Sequence, residues 1–266
     1  MGKIDFKIGL ILAVLVGGLG LLSLFYTPYE YNDMDPLKRF LPPGFPHVMG
    51  TDNFGRDVFS RVLIGSRYTL AVSVLTVIGS LSIGASLGLT AGYIGGLLDE
   101  ILMRLMDAVT SFPGILAALV MVSLMENGAF TLILALVVLF IPSYMRIMRN
   151  GMLQYKKADF VKTAEIMGAS RIRIIFLHIL PNVKTPLLAA AALGLSNAIL
   201  AEATMSYLGL GIQPPIPSWG RMLAEAQSFL FNAPWCALGP GGMIMLTVGA
   251  FHYIGEGIRQ ESPRIS

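Results

Sequence analysis

The chain reads as an all-α, polytopic membrane protein with about six transmembrane helices, and three observations predict it. Of its 266 residues, 55% are hydrophobic and 13% charged, about half the charge that keeps a soluble domain of this size wetted. The apolar residues gather into runs of the roughly 20 residues that a helix needs to cross a bilayer. The basic residues sit between those runs rather than along an amphipathic face, which is where membrane proteins place them. The net charge of +3 and pI near 9.0 therefore need no nucleic acid to explain them. A single cysteine, Cys236, excludes an internal disulfide framework, a cysteine zinc site and an iron–sulfur cluster. His47, His178 and His252 lie far apart, so no metal site is expected.

The first run, Ile8–Tyr26, follows Lys3 and Lys7 as a signal peptide would. Tyr26-Thr27-Pro28-Tyr29 lacks a small-residue cleavage pattern, so the run is expected to be retained. Residues 27–67 begin proline-rich (Pro28, Pro36, Pro42, Pro43, Pro46), which predicts irregular chain. They end in TDNFGRDVFSRVLIGSR, a short helix ahead of the second span, Tyr68–Tyr93. Asp52, Arg56, Asp57 and Arg61 include i,i+4 pairs that suit a local salt-bridged helix or contact with an external protein. Gly84, Gly88 and Gly92, at four-residue spacing, let another helix backbone approach closely, within this subunit or from a second one.

The third span, Ile101–Met125, opens with Arg104 and Asp107 on one face, where they are expected to pair. The fourth is Ala129–Met148. Residues 149–182 are basic and long enough for two short helices: Ala158 to Met167, ended by Gly168, and Ser170 to Leu180. Pro181 should then break the pattern ahead of the fifth span, Pro186–Leu210. Glu202 inside that span costs a few kcal/mol unless it is paired or faces water. It belongs to a structural hydrogen bond or to a solute cavity, and the LGLG that follows favours the structural role. Residues 209–234 hold GLGIQPPIPSWG, with Trp219 and Trp235 expected as interfacial anchors. The last span, Trp235–Ile258, carries His252 and Glu256 four apart, close enough to hydrogen-bond.

Orientation follows from the basic residues. With the N-terminus inside, thirteen of the 19 Lys and Arg fall on the cytoplasmic side, which puts both termini there. Two regions result: a membrane helix with an extracytoplasmic segment over 1–67, and a transmembrane domain over 68–266.

From its residues alone, the segment ADFVKTAEIMGASRIRIIFLHILPNVKTPLL is either a helix-turn-helix that docks a soluble partner or a basic loop lying on anionic lipid. It resembles the EAA loop of ATP-binding-cassette importer permeases, whose pattern is Glu-Ala-Ala, three residues, Gly, nine residues, then Ile-x-Leu-Pro. Ala164, Gly168, Leu180 and Pro181 fall at matching places. Lys162, Thr163 and His178 stand where the pattern has Glu, Ala and Ile. Glu165, one helical turn on, is the candidate to replace the missing acid, and Ala169 completes the turn after Gly168. TDNFGRDVFSRVLIGSR, AGYIGGLLDEILMRLMD and AEATMSYLGLGIQPPIPSWGRML resemble the dipeptide/oligopeptide/nickel permease family, in particular its C-type subunit, from about Gly50 to Arg259.

That resemblance implies a bacterial inner-membrane importer built of two related permeases, two cytoplasmic ATPases on the EAA loops and an extracytoplasmic solute-binding protein. ATP and Mg would be bound by the ATPases, with no cofactor in this chain, and the solute would cross by alternating access. The solute would be a di- or oligopeptide, with nickel or a nickel chelate as the alternative. The chain has no G-x-x-x-x-G-K-[ST] loop, so it lacks the phosphate-binding element of such an ATPase. An intramembrane enzyme or a channel is a distant alternative, because no H-E-x-x-H, intramembrane aspartate pair or filter sequence is present.

Overall fold

Backbone amides in hydrocarbon must satisfy one another, so each apolar run closes into a helix. The computed structural model describes residues 2–125 and 128–261. In chain order the helices are α1 (Gly2–Leu22), α2 (Val58–Ile94), α3 (Gly96–Thr110), α4 (Gly114–Ser123), α5 (Ala129–Tyr155) and α6 (Asp159–Ile166). Then α7 (Arg171–Arg173) passes through a π-helical stretch, Ile174–Ile179, into α8 (Leu180–Tyr207), followed by α9 (Trp219–Ala226) and α10 (Trp235–Glu261). Among the described residues, five helices are long and apolar enough to cross a membrane: α1, α2, α5, Arg171–Tyr207 and α10. A sixth crossing comes from α3 and α4 together.

That sixth crossing departs from the straight helix expected over 101–125. α3 and α4 meet at 86°, because Pro113 offers no amide hydrogen and disfavours helical backbone at Phe112. Arg104 does not pair with Asp107. It bonds Glu100 at 2.6 Å, whereas Asp107 receives Arg146 of α5 at 2.8 Å. The second span also differs. The short helix expected before it is continuous with it, and Asp57 caps the joined 37-residue helix by accepting from Ser60 N at 2.8 Å. The division placed between residues 67 and 68 thus falls inside α2.

The bundle has two ends, here the α6 end and the α9 end. α2 and α5 run side by side in the same direction, and Gly84, Gly88 and Gly92 make their contact. A Cβ on Gly84 would lie 2.7 Å from Ile141 O, and one on Gly92 2.6 Å from Met152 Cβ. Only glycine permits this approach, and dispersion contacts then hold the pair without help from water. α1 packs antiparallel on α10, where a Cβ on Gly9 would lie 2.6 Å from Ala250 O.

At the α9 end, residues 23–57 fold back over α9 through buried charges. Glu225 receives Arg56 and Arg61 at 3.1 Å each, and Asp52 receives Arg56 Nε at 2.7 Å. The Arg61 side chain is only 2% exposed. Arg56 and Asp52 lie in the turn before α2 rather than in a helix, and both are buried within the chain. Trp219 is no interfacial anchor either: it is wholly buried and donates from Nε1 to Val62 O at 3.1 Å. Trp235 is partly buried and donates to Thr51 O at 3.2 Å. In α10, Glu256 pairs with Arg259 at 2.9 Å and not with His252.

Candidate functional site

At the α6 end the chain builds a helix-turn-helix across the feet of α5 and α8. Ala158 is extended, and α6 starts after it with Asp159 in the first turn, where a carboxylate suits the helix dipole. α6 buries one face. Val161 and Ala164 pack with Met148 and Met152 of α5, Ile174, Ile175 and Ile179 of the π stretch, and Val183 of α8. Lys162, Thr163 and Glu165 stay exposed, and Lys162 pairs with Asp159 at 3.0 Å.

Gly168 closes the helix with φ +79°, a conformation that costs other residues roughly 1–2 kcal/mol. Nothing lies within 4 Å of where its Cβ would sit, so the requirement is conformational rather than one of space. Gly168 N donates to Glu165 O and Ala169 N to Ala164 O, each at 3.0 Å, which satisfies carbonyls that the helix end would otherwise orphan. Ser170 then caps the next helix by accepting from Arg173 N.

The break expected at Pro181 does not occur. In an α-helix the proline ring would strike the carbonyl of Leu177, four residues back. The π turn before it carries the ladder to five-residue spacing, with Leu180 N donating to Ile175 O, and so moves that carbonyl aside. His178 is half-buried and its carbonyl accepts from Asn182 Nδ2 at 2.6 Å. Leu180 is half-buried and Pro181 exposed. Beyond the packed face, the turn presents Ile166 (87% exposed), Met167 (82%), Ile172 and Phe176, flanked by Arg171 and Arg173. An exposed apolar patch with a polar rim is the kind of surface that marks protein or membrane contact sites.

Glu202 lies far from this loop. It is fully buried, accepts from Ser206 Oγ at 2.7 Å and faces the hydroxyls of Thr69 and Ser218. Because Thr69 also accepts from Trp219 N at 3.4 Å, the group ties α2, α8 and the start of α9 together. A separate cavity of about 240 Å³ opens between α4, α5 and α8, lined by Gly114, Ile115, Ala118, Phe140, Ser143 and Met205 among others. Among the described residues, no group of three or more His, Cys, Asp or Glu is placed to hold a metal ion. The Asp52–Arg56 pair follows the i,i+4 spacing read from the sequence, but Glu225 as the acid joining Arg56 and Arg61, and the cavity wall, come from segments far apart in the chain and leave no local pattern.

The fold and this loop define a multi-pass membrane protein with a short helix-turn-helix packed against the ends of its spanning helices. Residues 84–254 match the family of binding-protein-dependent transport system inner membrane components, and the chain belongs to that family. It is similar to the dipeptide transport system permease protein DppC of Haemophilus influenzae, with 38% identity covering 95% of this chain and 88% of that one. It is also similar to the glutathione transport system permease protein GsiD of Pectobacterium atrosepticum, with 38% identity over 94% of this chain and 83% of the relative. The oligopeptide transport system permease protein OppC of Bacillus subtilis is 34% identical over 95% and 83%. The fold is shared with the MetNI methionine ABC transporter in an inward-facing conformation. That match has a TM-score of 0.63 at 19% identity and covers 77% of this chain and 97% of the other. The chain is a permease subunit of the ATP-binding-cassette transporter class.

Proposed function

We propose that this subunit forms half of the path by which an importer carries di- or oligopeptides across a bacterial inner membrane. A second related permease forms the other half, and an extracytoplasmic binding protein delivers the solute. Two ATPases bind ATP and Mg and dock on residues 158–181, so ATP is hydrolysed outside this chain. The α6 end is cytoplasmic and both termini lie there, in keeping with the basic residues gathered at that end. Relatives at 34–38% identity named for dipeptide, glutathione and oligopeptide transport support the solute class. The apolar cavity beside Ser143 suits a peptide side chain better than a metal ion, and nickel import is not favoured.

The observation that carries the reading is the bracing of α6. Its buried face joins one apolar cluster with Met148 and Met152 of α5, the π stretch and Val183 of α8, so a displacement of the loop by an ATPase is passed through the π stretch into α8 and, through the shared cluster, to α5. α5 carries α2 with it through the glycine contact. By contrast, α3 has no buried residue and is held to α5 by polar pairs, Arg149 with Asp99 and Arg146 with Asp107. Polar pairs of this kind can break and re-form as the cavity turns from one side to the other. A cysteine at exposed Thr163 tests the docking, because the native Cys236 is buried. Cross-linking of that cysteine to the ATPase subunit is expected, and efficient cross-linking from Leu208 at the α9 end instead would reverse the assignment.

A further inference from the structure

A cleft of about 400 Å³ opens at the α6 end, where α2 and α5 terminate against the helix-turn-helix. One part of its wall is apolar: Ile94, Val161, Ile174 and Ile179. The rest is charged, with Lys156 and Arg171 as cations and Glu165 as the acid. Lys156 is already oriented, since its Nζ donates to Tyr93 O at 2.6 Å and lies 5.1 Å from the centre of the Tyr93 ring. An ammonium has three donors, so two of them are free for a ligand. Neither the Glu165 carboxylate nor the Arg171 guanidinium has an ion-pair partner among the described residues, although both line the same cleft.

We infer that this cleft binds the headgroup of an aminophospholipid, with the phosphate on Lys156 and Arg171 and the primary ammonium on Glu165. Two cations beside one unpaired acid match a zwitterion rather than a simple anion. Arginine and lysine supply charge-assisted bonds to phosphate oxygens, and a primary ammonium can donate to a carboxylate where a quaternary one cannot. Val161, Ile174 and Ile179 are buried beneath the cleft, so the exposed apolar surface that favours a lipid over a dissolved phosphate is that of Ile94. Ile94, 61% exposed, ends one of the membrane-length helices and offers the first acyl carbons a surface. The site lies under the turn that the proposed ATPase would grip, but the inference depends on neither the ATPase nor the solute. A lipid seated there fills the gap between α2 and the coupling element and stiffens their connection.

The full chain in nanodiscs of mixed phosphatidylethanolamine and phosphatidylcholine provides the test, with the lipids it retains counted by native mass spectrometry. Preferential retention of phosphatidylethanolamine is expected. Arg171→Gln should weaken that retention by about threefold to tenfold, the loss of one partly exposed charged contact. Glu165→Gln should abolish the preference between the two lipids while leaving phosphate-dependent retention in place. Both side chains are exposed, so neither change threatens folding. Equal retention of the two lipids by the unaltered chain, or unchanged retention in Arg171→Gln, would overturn the proposal. Displacement by millimolar inorganic phosphate would replace the lipid with a dissolved anion. Protection of Ile94→Cys from thiol labelling by the ATPase, but not by phosphatidylethanolamine, would replace it with a protein partner.

Discussion

Replacing Gly84 with alanine probes the contact that holds the two central helices together. The added Cβ would sit 2.7 Å from Ile141 O, 3.0 Å from Tyr144 Cβ and 3.1 Å from Met145 N. A carbon rests against a carbonyl oxygen at about 3.3 Å or more, so α2 and α5 must separate by roughly half an ångström. Backbone is the obstacle, and no side chain can swing away to relieve it. Overpacking of this kind costs about 1–3 kcal/mol. A contact without a hydrophobic driving force has little else to offset the loss. At about 2–4 °C per kcal/mol, the thermal unfolding midpoint of the purified protein should fall by roughly 2–12 °C. Gly17→Ala is the matched control, because nothing lies within 4 Å of that Cβ. It should leave stability within about 0.5 kcal/mol. If the two variants unfold together, the close approach of α2 and α5 is refuted.

Other changes probe the two ends of the bundle. Glu225→Ala leaves Arg56 and Arg61 short of a counter-charge in a largely buried site and should destabilise the protein by about 2–3 kcal/mol, read as a lowered unfolding midpoint. Trp219→Ala should cost about 3–5 kcal/mol through the cavity it leaves. Trp219→Phe should cost about 1 kcal/mol for the lost bond to Val62 O. Gly168→Val should impair uptake and the coupling of ATPase activity to solute, because a β-branched residue resists φ +79°. Gly168→Asn, which tolerates that conformation better, should retain most of the coupled activity, and equal behaviour of the two would remove the conformational argument.

Much of the bundle was legible in the chain because hydrocarbon leaves a backbone few choices. The runs at 8–26, 129–148 and 235–258 became α1, α5 and α10 with ends displaced by a few residues. The loop over α6 was legible for a local reason, since Gly168 marks a helix end whatever surrounds it. Misreadings arose where a distant partner or a compensating backbone decided the outcome. Trp219 looked like an anchor until α2 was folded against it. Arg56 does pair with nearby Asp52, but Glu225, which it and Arg61 also engage, lies 169 and 164 residues away. Pro181 looked like a break, and the π turn before it absorbed the clash. Pro113 signalled a break but not its 86° angle, which depends on what α3 and α4 pack against.

The most direct test of the central claim is uptake in cells lacking this gene, comparing a labelled dipeptide with labelled nickel. The account predicts that dipeptide uptake is lost and is restored by the intact gene, while nickel uptake is unchanged. Loss of nickel uptake with dipeptide uptake intact would contradict it.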